Sequence, residues 1–162
     1  MNDRECLQTA LSIAARESQD PHTQTGAVLC IAGEMYEAAN RVPDGIPIKR
    51  YMVSPQAKRY FIEHAERAVI YMAAQRVFGE EDFRHATLYA PWFACPDCAR
   101  AIIGVGIKEV VGLASLRSMT PDRWVEDVEL GEKMLTAAGV SLRWVCGSVG
   151  VKIRFDGQEV ML

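Results

Sequence analysis

The order of amphipathic segments and short apolar runs is the feature of this sequence that most constrains its fold. Residues 3–17 place apolar side chains at i, i+3, i+4 and i+7 from Leu7 to Ala14, which predicts a helix. That helix ends before Pro21, because the residue preceding a proline disfavours helical angles. Similar patterns predict helices over about residues 57–77, over 96–105, and from Thr120-Pro121-Asp122 to Gly139, where Thr120 supplies a capping hydroxyl.

Short runs rich in apolar and β-branched residues alternate with these helices. They predict strands at residues 26–32, 35–42, 86–90, 108–113 and 140–145. Gly33 favours a turn between the first two runs, which would make those strands antiparallel. At the C-terminus, Asp156-Gly157 suits the turn of a β-hairpin formed by residues 151–155 and 158–162.

The element order α-β-β-α-β-α-β-α-β followed by a hairpin predicts an α/β fold. Helices would cover both faces of a mixed five-stranded sheet, giving three layers, α/β/α. We expect residues 1–162 to form one domain, with residues 150–162 as a hairpin extension.

The composition argues against several classes of protein. The chain has 162 residues and a net charge of −3, without the excess positive charge of a nucleic-acid binder. Its longest uncharged stretch, residues 21–33, is shorter than the roughly 20 apolar residues that span a membrane. The start Met1–Glu5 has no signal-peptide pattern, and the five cysteines are scattered. We therefore expect a cytoplasmic protein that does not bind membranes.

Two short motifs supply the ligands of a metal site. His64-Ala65-Glu66 and Cys95-Pro96-Asp97-Cys98 together offer one imidazole and two thiols. Both motifs lie near predicted helix N-termini, where the positive end of the helix dipole favours the thiolate form that a metal requires. Cysteines three positions apart can point the same way on a first helical turn. We predict that His64, Cys95 and Cys98 bind Zn²⁺.

Three protein ligands are typical of a catalytic zinc, which keeps one position for water, whereas a structural zinc is normally closed by four. His85 or Cys146 could close the site and make it structural. A core histidine beside two buried thiols, with no metal, is the remaining alternative.

Glu66 is predicted to be the catalytic proton shuttle. It follows His64 by two residues, so its carboxylate can lie over a water at the metal without binding the metal. Zinc deaminases pair such a carboxylate with an activated water, in the signature His-x-Glu followed by Pro-Cys-x-x-Cys. Ala94 stands where that signature has proline, which changes the loop and leaves the ligands in place.

At these residues the sequence resembles the cytidine and deoxycytidylate deaminase family, most closely its deoxycytidylate deaminase branch. The resemblance runs from about residue 11 to residue 145, and includes the segments Ser18–Val28, Ala39–Gly45 and Cys98–Ile103. It implies a three-layer α/β/α fold, a Zn²⁺ cofactor, and hydrolysis of dCMP to dUMP. It also implies homo-oligomers, dimers or hexamers, some regulated by dCTP and dTTP.

The resemblance also implies substrate contacts. Asn40 would contact the sugar, and the backbone of Ala65 would contact the base. The alternative for Asn40 is a turn former, because the adjoining loop is rich in proline and glycine. Thr25 lies in the first matching segment and is a further predicted substrate contact.

Other candidate contacts have two readings each. Trp92 and Phe93 either stack on a base or fill the core. His22 is expected to be a loop residue, with a contact to phosphate as its second reading. Four cations either bind a 5′-phosphate or remain solvated at the surface: Arg41, Lys49, Arg50 and Arg67.

Together these observations predict a zinc-dependent hydrolase that deaminates a free pyrimidine nucleotide, dCMP. A deaminase of another base is the first alternative, such as a tRNA adenosine, a guanine-like ring or free cytosine or cytidine. A zinc-stabilised binding module without enzymatic activity is the second.

Overall fold

A computed structural model of the chain describes residues 1–47, 55–76 and 78–162. Lys49 and Arg50, two of the predicted phosphate ligands, lie outside the described residues. Within the described residues, every helix is too short or too polar to span a lipid bilayer.

The central sheet is mixed and has five strands. They are β1 (Gly26–Ile31), β2 (Glu34–Ala39), β3 (Thr87–Tyr89), β4 (Glu109–Leu113) and β5 (Ser141–Val145). Their spatial order is β2-β1-β3-β4-β5. β1 pairs antiparallel with β2 and with β3, whereas β3–β4 and β4–β5 are parallel. The predicted mixed five-stranded sheet is therefore confirmed.

Helices cover both faces of this sheet. The described helices are α1 (Asp3–Glu17), α2 (Pro55–Phe61), α3 (Ala65–Ala74), α4 (Glu80–Arg84), α5 (Pro96–Val105), α6 (Ala114–Ser118) and α7 (Asp122–Ala137). α1 packs on one face, and α3 packs on the other, where it contacts α5, which in turn contacts α7. The strands alternate accordingly: Leu29 belongs to the core with α3 and α5, and Val28 to the core with α1.

The predicted helix over residues 57–77 was wrong as a continuous element. The described part is divided into α2 and α3, because the backbone of Glu63 pairs with the backbone of Arg41. The amide of Arg41 donates to the carbonyl of Glu63 at 3.2 Å, and the amide of Glu63 donates back at 2.9 Å. A residue paired in this way cannot continue the helical hydrogen bonds. The break leaves His64 as the N-cap of α3.

The predicted cap of α7 was also wrong. Pro121 is the N-cap, without a side-chain hydrogen bond to the helix. The Thr120 hydroxyl instead accepts from Trp92 Nε1 at 3.0 Å and donates to the carbonyl of Arg117 at 2.8 Å. Thr120 therefore connects the start of α7 to the segment that precedes the cysteine motif.

The C-terminal hairpin is confirmed as a separate two-stranded sheet, β6 (Lys152–Phe155) and β7 (Gln158–Met161). Asp156 and Gly157 form its turn with φ of 50° and 77°, angles that favour Asp-Gly over bulkier pairs. Ile153 and Phe155 face the core that includes α1, so the hairpin lies on the α1 side of the sheet.

Candidate active site

The predicted metal ligands converge through the N-termini of two helices. His64 is the N-cap of α3 and Cys95 is the N-cap of α5, both with extended backbone angles. Pro96 follows at the first helical position, where its missing N–H costs nothing, and Cys98 lies within the same first turn. One ligand atom from each of His64, Cys95 and Cys98 lies within 4.8 Å of the others. We call these three residues the metal group.

The spacing within the metal group fits a tetrahedral zinc ion. His64 Nδ1 lies 3.5 Å from Cys95 Sγ and 3.4 Å from Cys98 Sγ. Ligands at the usual zinc–sulfur and zinc–nitrogen bond lengths, with tetrahedral angles, lie about 3.5 Å apart. In the part of the chain that the structure describes, neither His85 nor Cys146 joins the group. The side chains present fit a zinc with three protein ligands and one open position.

The three side chains of the metal group differ in ionisation, and only Cys95 is already in the form that binds a metal. Hydrogen bonds from Cys98 and then from His64 lower the pKa of Cys95 to about 4 against the effect of burial. The hydrogen bond to Cys95 raises the pKa of His64 to about 9. The hydrogen bond to Cys95, together with burial, raises the pKa of Cys98. The environment of Cys95 thus favours the thiolate, whereas His64 and Cys98 would each lose a proton on binding zinc.

Glu66 lies in the first turn of α3, one residue beyond the start of the helix, and is only 5% exposed. Burial raises the pKa of this carboxyl group above its ordinary value, although the nearby His64 opposes the effect. A carboxyl group with a raised pKa holds a proton more readily than an ordinary carboxyl group, which suits a group that must both accept and donate one.

A cavity of about 300 Å³ opens beside the metal group. Seven of the predicted site residues line it: Thr25, Asn40, His64, Glu66, Trp92, Phe93 and Cys95. Cys98 lies behind them and is fully buried. Two other predicted contacts among the described residues, Arg41 and Ala65, do not line the cavity. Most of the predicted site residues therefore line the cavity, but they are fewer than half of the residues that surround it.

Asn40 braces the loop that follows α1. Its Oδ1 accepts from the Ser18 hydroxyl at 2.6 Å and from the amide of Thr25 at 2.9 Å. Its Nδ2 donates to the carbonyl of Thr23 at 2.9 Å. The side chain is 5% exposed and still reaches the cavity wall. Asn40 therefore shapes the cavity through the loop, in addition to any contact with a ligand.

Trp92 and Phe93 both serve the core as well as the cavity. Phe93 is 1% exposed and stacks on Trp144, with ring centroids 4.4 Å apart and planes 8° apart. Trp92 meets Phe155 of the hairpin edge to face, at 4.9 Å and 85°. Each ring is held by an aromatic neighbour while also lining the cavity.

The described cations that were predicted to bind phosphate point elsewhere. Arg41 pairs with Asp44 at 2.5 Å. Arg67 pairs with Glu63 at 2.5 Å and lies 3.7 Å from Asp97. The cations that line the cavity are instead Lys58 and Arg59 of α2 and Arg123 of α7.

Sequence reasoning missed these three cations together with Trp124 and Asp127 on α7. A signal was available, because ligands in α/β folds gather beyond the carboxyl ends of the strands, where loops and helix N-termini meet. Arg123 and Trp124 lie in the first turn of α7, next to the predicted helix start at Thr120-Pro121-Asp122.

Comparison with known proteins places this arrangement in a family. Residues 1–114 match the family described as the cytidine and deoxycytidylate deaminase zinc-binding region, which covers more than half of the chain and both metal motifs. The chain belongs to this family. Its members form a class of zinc-dependent hydrolases, which confirms the predicted enzyme class.

Individual deaminases share part of the sequence. An uncharacterized deaminase of the luxG 3′ region of Aliivibrio fischeri is 28% identical over 129 residues, which cover 79% of this chain and 83% of that protein. Human deoxycytidylate deaminase is 30% identical over 110 residues, which cover 61% of this chain. The matched part spans 57% of the human protein.

The fold also matches a solved deaminase structure. The dCMP deaminase of cyanophage S-TIM5, in complex with dCMP and dUMP, superposes with a TM-score of 0.64. The superposition covers 86% of this chain and 93% of the phage protein, at 20% sequence identity. This similarity confirms the predicted α/β/α fold of the deaminase family.

Proposed function

We propose that this protein removes the 4-amino group of a free pyrimidine nucleotide by hydrolysis, converting dCMP to dUMP and ammonia. The observation that carries the proposal is a single cavity that joins the metal group and Glu66 to the cations Lys58, Arg59 and Arg123. Hydrolysis of a cytosine ring needs the metal group and Glu66, and binding of a phosphate needs a cation.

His64, Cys95 and Cys98 would hold the zinc ion as its three protein ligands. When bound, Zn²⁺ lowers the pKa of a water molecule and so supplies a nucleophile near neutral pH. The chain's contribution is to place these ligands at two helix N-termini, which fixes their spacing before the metal arrives.

Glu66 would carry the protons. Its carboxylate takes a proton from the attacking water and passes it to N3 of the cytosine ring. The water oxygen would bond to C4 of the ring. Glu66 would then move a second proton, from the hydroxyl now on C4, to the 4-amino group, and the C4–N bond would break to release ammonia. The raised pKa of Glu66 suits this role, because a more basic carboxylate takes a proton from water more readily.

The apolar walls of the cavity would hold the ring. Phe93 and Trp92 are fixed by Trp144 and Phe155, so they offer flat surfaces at low entropic cost. Thr25 and Asn40 supply polar groups at the same wall, where a deoxyribose hydroxyl can hydrogen-bond. The backbone of Ala65, between His64 and Glu66, remains the proposed contact to the base.

An ammonia-release screen tests the proposal. The substrates are dCMP, CMP, dCTP, deoxycytidine, cytosine, adenosine and guanine, each with and without added dCTP. We expect the highest kcat/KM with dCMP, dUMP as the product, and loss of turnover after chelation that zinc restores. Release from adenosine or guanine alone would favour the other-base alternative, and release from none of the substrates would contradict the proposal.

Three related inferences accompany it. We infer that residues 1–162 act as one deaminase domain that assembles into homo-oligomers, dimers or hexamers, and that it works in the cytoplasm. Light scattering of the purified chain tests whether this domain assembles into dimers or hexamers. Fractionation of cells that express the chain tests its location.

A further inference from the structure

The turn of the C-terminal hairpin contacts the wall of the cavity. His22, Thr23 and Arg123 line the cavity, and each of them touches Asp156 or Gly157. Arg123 Nη2 donates to Asp156 Oδ1, and His22 Nε2 lies 3.5 Å from the same oxygen. One carboxylate of the hairpin therefore joins two cavity residues that lie far apart in the sequence. We call His22, Arg123 and Asp156 the hairpin group.

The hairpin is fixed where it meets the cavity. The amide of Gly157 donates to the carbonyl of His22 at 2.8 Å. A Cβ built at Gly157 would lie 2.8 Å from Cε1 of His22, so only glycine allows the imidazole ring to pack there. Further along β6, the amide of Arg154 donates to Gln24 Oε1 at 2.7 Å, and the carbonyl of Arg154 accepts from the amide of Gln24 at 2.8 Å.

The three cations of the cavity wall are committed to different partners. Lys58 Nζ lies 2.8 Å from Oδ1 of Asp20, a carboxylate that is only 8% exposed and whose charge Lys58 offsets. Arg59 lies over the ring of Trp124, at 5.5 Å from its centroid. Arg123 is half exposed, and its bond to Asp156 uses one of the five N–H groups of a guanidinium.

Arg123 is therefore the wall cation best placed to bind an anionic ligand. A guanidinium binds phosphate through two parallel N–H donors, and a carboxylate on one side fixes the direction in which the other donors point. Asp156 lies in a turn that is tied to Thr23 by its own amide, so its carboxylate is a fixed anchor.

We propose that Arg123, oriented by Asp156 and flanked by His22, binds the 5′-phosphate of the nucleotide, and that the hairpin therefore determines specificity for phosphorylated substrates. The proposal rests on the proposed function for the choice of a mononucleotide. Arg123 is the binding residue here, and Asp156 is a positioning residue that acts through it.

Calorimetric titration of the full chain with dUMP and with deoxyuridine tests this assignment. The two ligands differ only in the 5′-phosphate, so the ratio of their dissociation constants measures what the phosphate contributes to binding. We expect wild type to prefer dUMP. Arg123→Gln should weaken dUMP binding by about 10- to 100-fold, the usual loss when a charge-assisted hydrogen bond is removed. Deoxyuridine binding should change less than about twofold, since Arg123 does not touch the uncharged ligand.

Two further variants separate binding from positioning. Arg123→Lys keeps the charge but loses the paired donors, so it should restore only part of the preference. Asp156→Asn should reduce the preference for dUMP by less than Arg123→Gln. Lys152→Gln is the matched control, because Lys152 is on the same hairpin, 3.8 Å from Glu159, and both side chains are exposed. This control should bind both ligands as wild type does.

Equal binding of dUMP and deoxyuridine by wild type would overturn the proposal, as would a preference that survives Arg123→Gln. An unchanged preference in Asp156→Asn would overturn the role of the hairpin. Failure of the proposed function is seen separately, as absence of ammonia from dCMP. Arg123-dependent binding of dUMP without turnover would support the phosphate site and contradict the reaction.

Discussion

The metal group and the hairpin group border the same cavity, but the chain assembles them in different ways. The metal group comes from the caps and first turns of α3 and α5, so local helix geometry sets most of its spacing. The hairpin group comes from the loop after α1, the start of α7 and the turn between β6 and β7. A short motif encodes the first, whereas the second forms only when distant segments pack together.

This difference predicts what a substitution in each group would change. The metal group, with Glu66 beside it, supplies the side chains that the proposed hydrolysis needs, so we expect a change there to remove the reaction. The hairpin group touches no metal ligand among the contacts described, so a change there should alter which ligand binds while leaving the reaction possible. Four substitutions test this division, from the largest expected effect to the smallest.

Glu66→Gln should lower kcat by about 10²- to 10⁴-fold, the usual contribution of a positioned acid–base group. The amide keeps the shape of the side chain but cannot shuttle a proton, so zinc content should remain that of wild type. Turnover by ammonia release and metal content by atomic absorption measure the two effects. Glu81→Gln, at an exposed carboxylate of α4, is the control and should be unaffected. Turnover near the wild-type level in Glu66→Gln would rule out the shuttle.

Gly131→Ala should destabilise the protein and disturb the metal group. Gly131 lies on α7, and a Cβ there would overlap the carbonyl oxygen of Ala94, next to Cys95. Overpacking of this kind costs about 1–3 kcal/mol, and relief requires the Ala94–Cys95 backbone to move. Urea unfolding and zinc affinity provide the measurements.

Gly104→Ala is the matched control for that substitution. Gly104 also lies within a helix, α5, and a Cβ there meets nothing within 4 Å. Alanine should therefore stabilise the chain by about 0.5–1 kcal/mol through its higher helix propensity. If both glycine variants were equally stable, the close approach of α7 to Ala94 would be contradicted.

Asn40→Ala should cost about 1–3 kcal/mol, because it leaves buried hydrogen-bond partners in the Ser18–Thr25 loop unsatisfied. Since that loop carries His22 and Thr23, we expect KM for dCMP to rise more than kcat falls. Thermal unfolding and steady-state kinetics measure these effects. Ser18→Ala removes one partner of Asn40 and should show a weaker form of the same result. A fall in kcat at constant KM would instead place Asn40 in the chemical step.

Arg143→Gln should have the smallest effect, and only on stability. Arg143 pairs with Asp3 and with Glu109, and hydrogen bonds to Arg143 hold the pKa of each carboxyl group below its ordinary value, 3.8 for Asp3 and 4.5 for Glu109. Lowered pKa values give stability that is present above the ordinary values and lost as pH falls through the lowered ones.

The variant should therefore be less stable than wild type above about pH 5, and the difference should vanish in stronger acid. We expect less than about 1 kcal/mol, because these side chains are about a third exposed and solvent screens them. Unfolding by urea across a pH series measures the difference. A constant difference at all pH values would show that Arg143 acts by packing and not by charge.

Much of the fold could be predicted because each element has a local signal. The strands β1 to β5 follow apolar runs, and Asp156-Gly157 marks the hairpin. The break between α2 and α3 carried no such signal, since it results from the pairing of Glu63 with Arg41, more than twenty positions earlier. For the same reason Thr120, a good helix cap by type, bonds to Trp92 instead.

The candidate site shows the same contrast between residues with a local sequence signal and residues without one. His64, Glu66, Cys95 and Cys98 could be chosen from residue type and spacing, because ligand chemistry limits the side chains that suit zinc. Residue type did not select the cations, because a surface arginine has the same local context whether it faces a cavity or solvent. Only the position of Arg123 next to a predicted helix start pointed to the cavity. Arg41 and Arg67 turn to nearby carboxylates, whereas Arg123 reaches the cavity.

The sequence by itself determined the order of most helices and strands, and it selected three candidate metal ligands and the carboxylate near them. These depend on interactions within one or two turns of the chain, which spacing records directly. Only the tertiary structure decided which cations border the cavity and that the C-terminal hairpin reaches them. Those contacts join segments whose separation in sequence carries no information about distance until the sheet, α1 and the hairpin have packed.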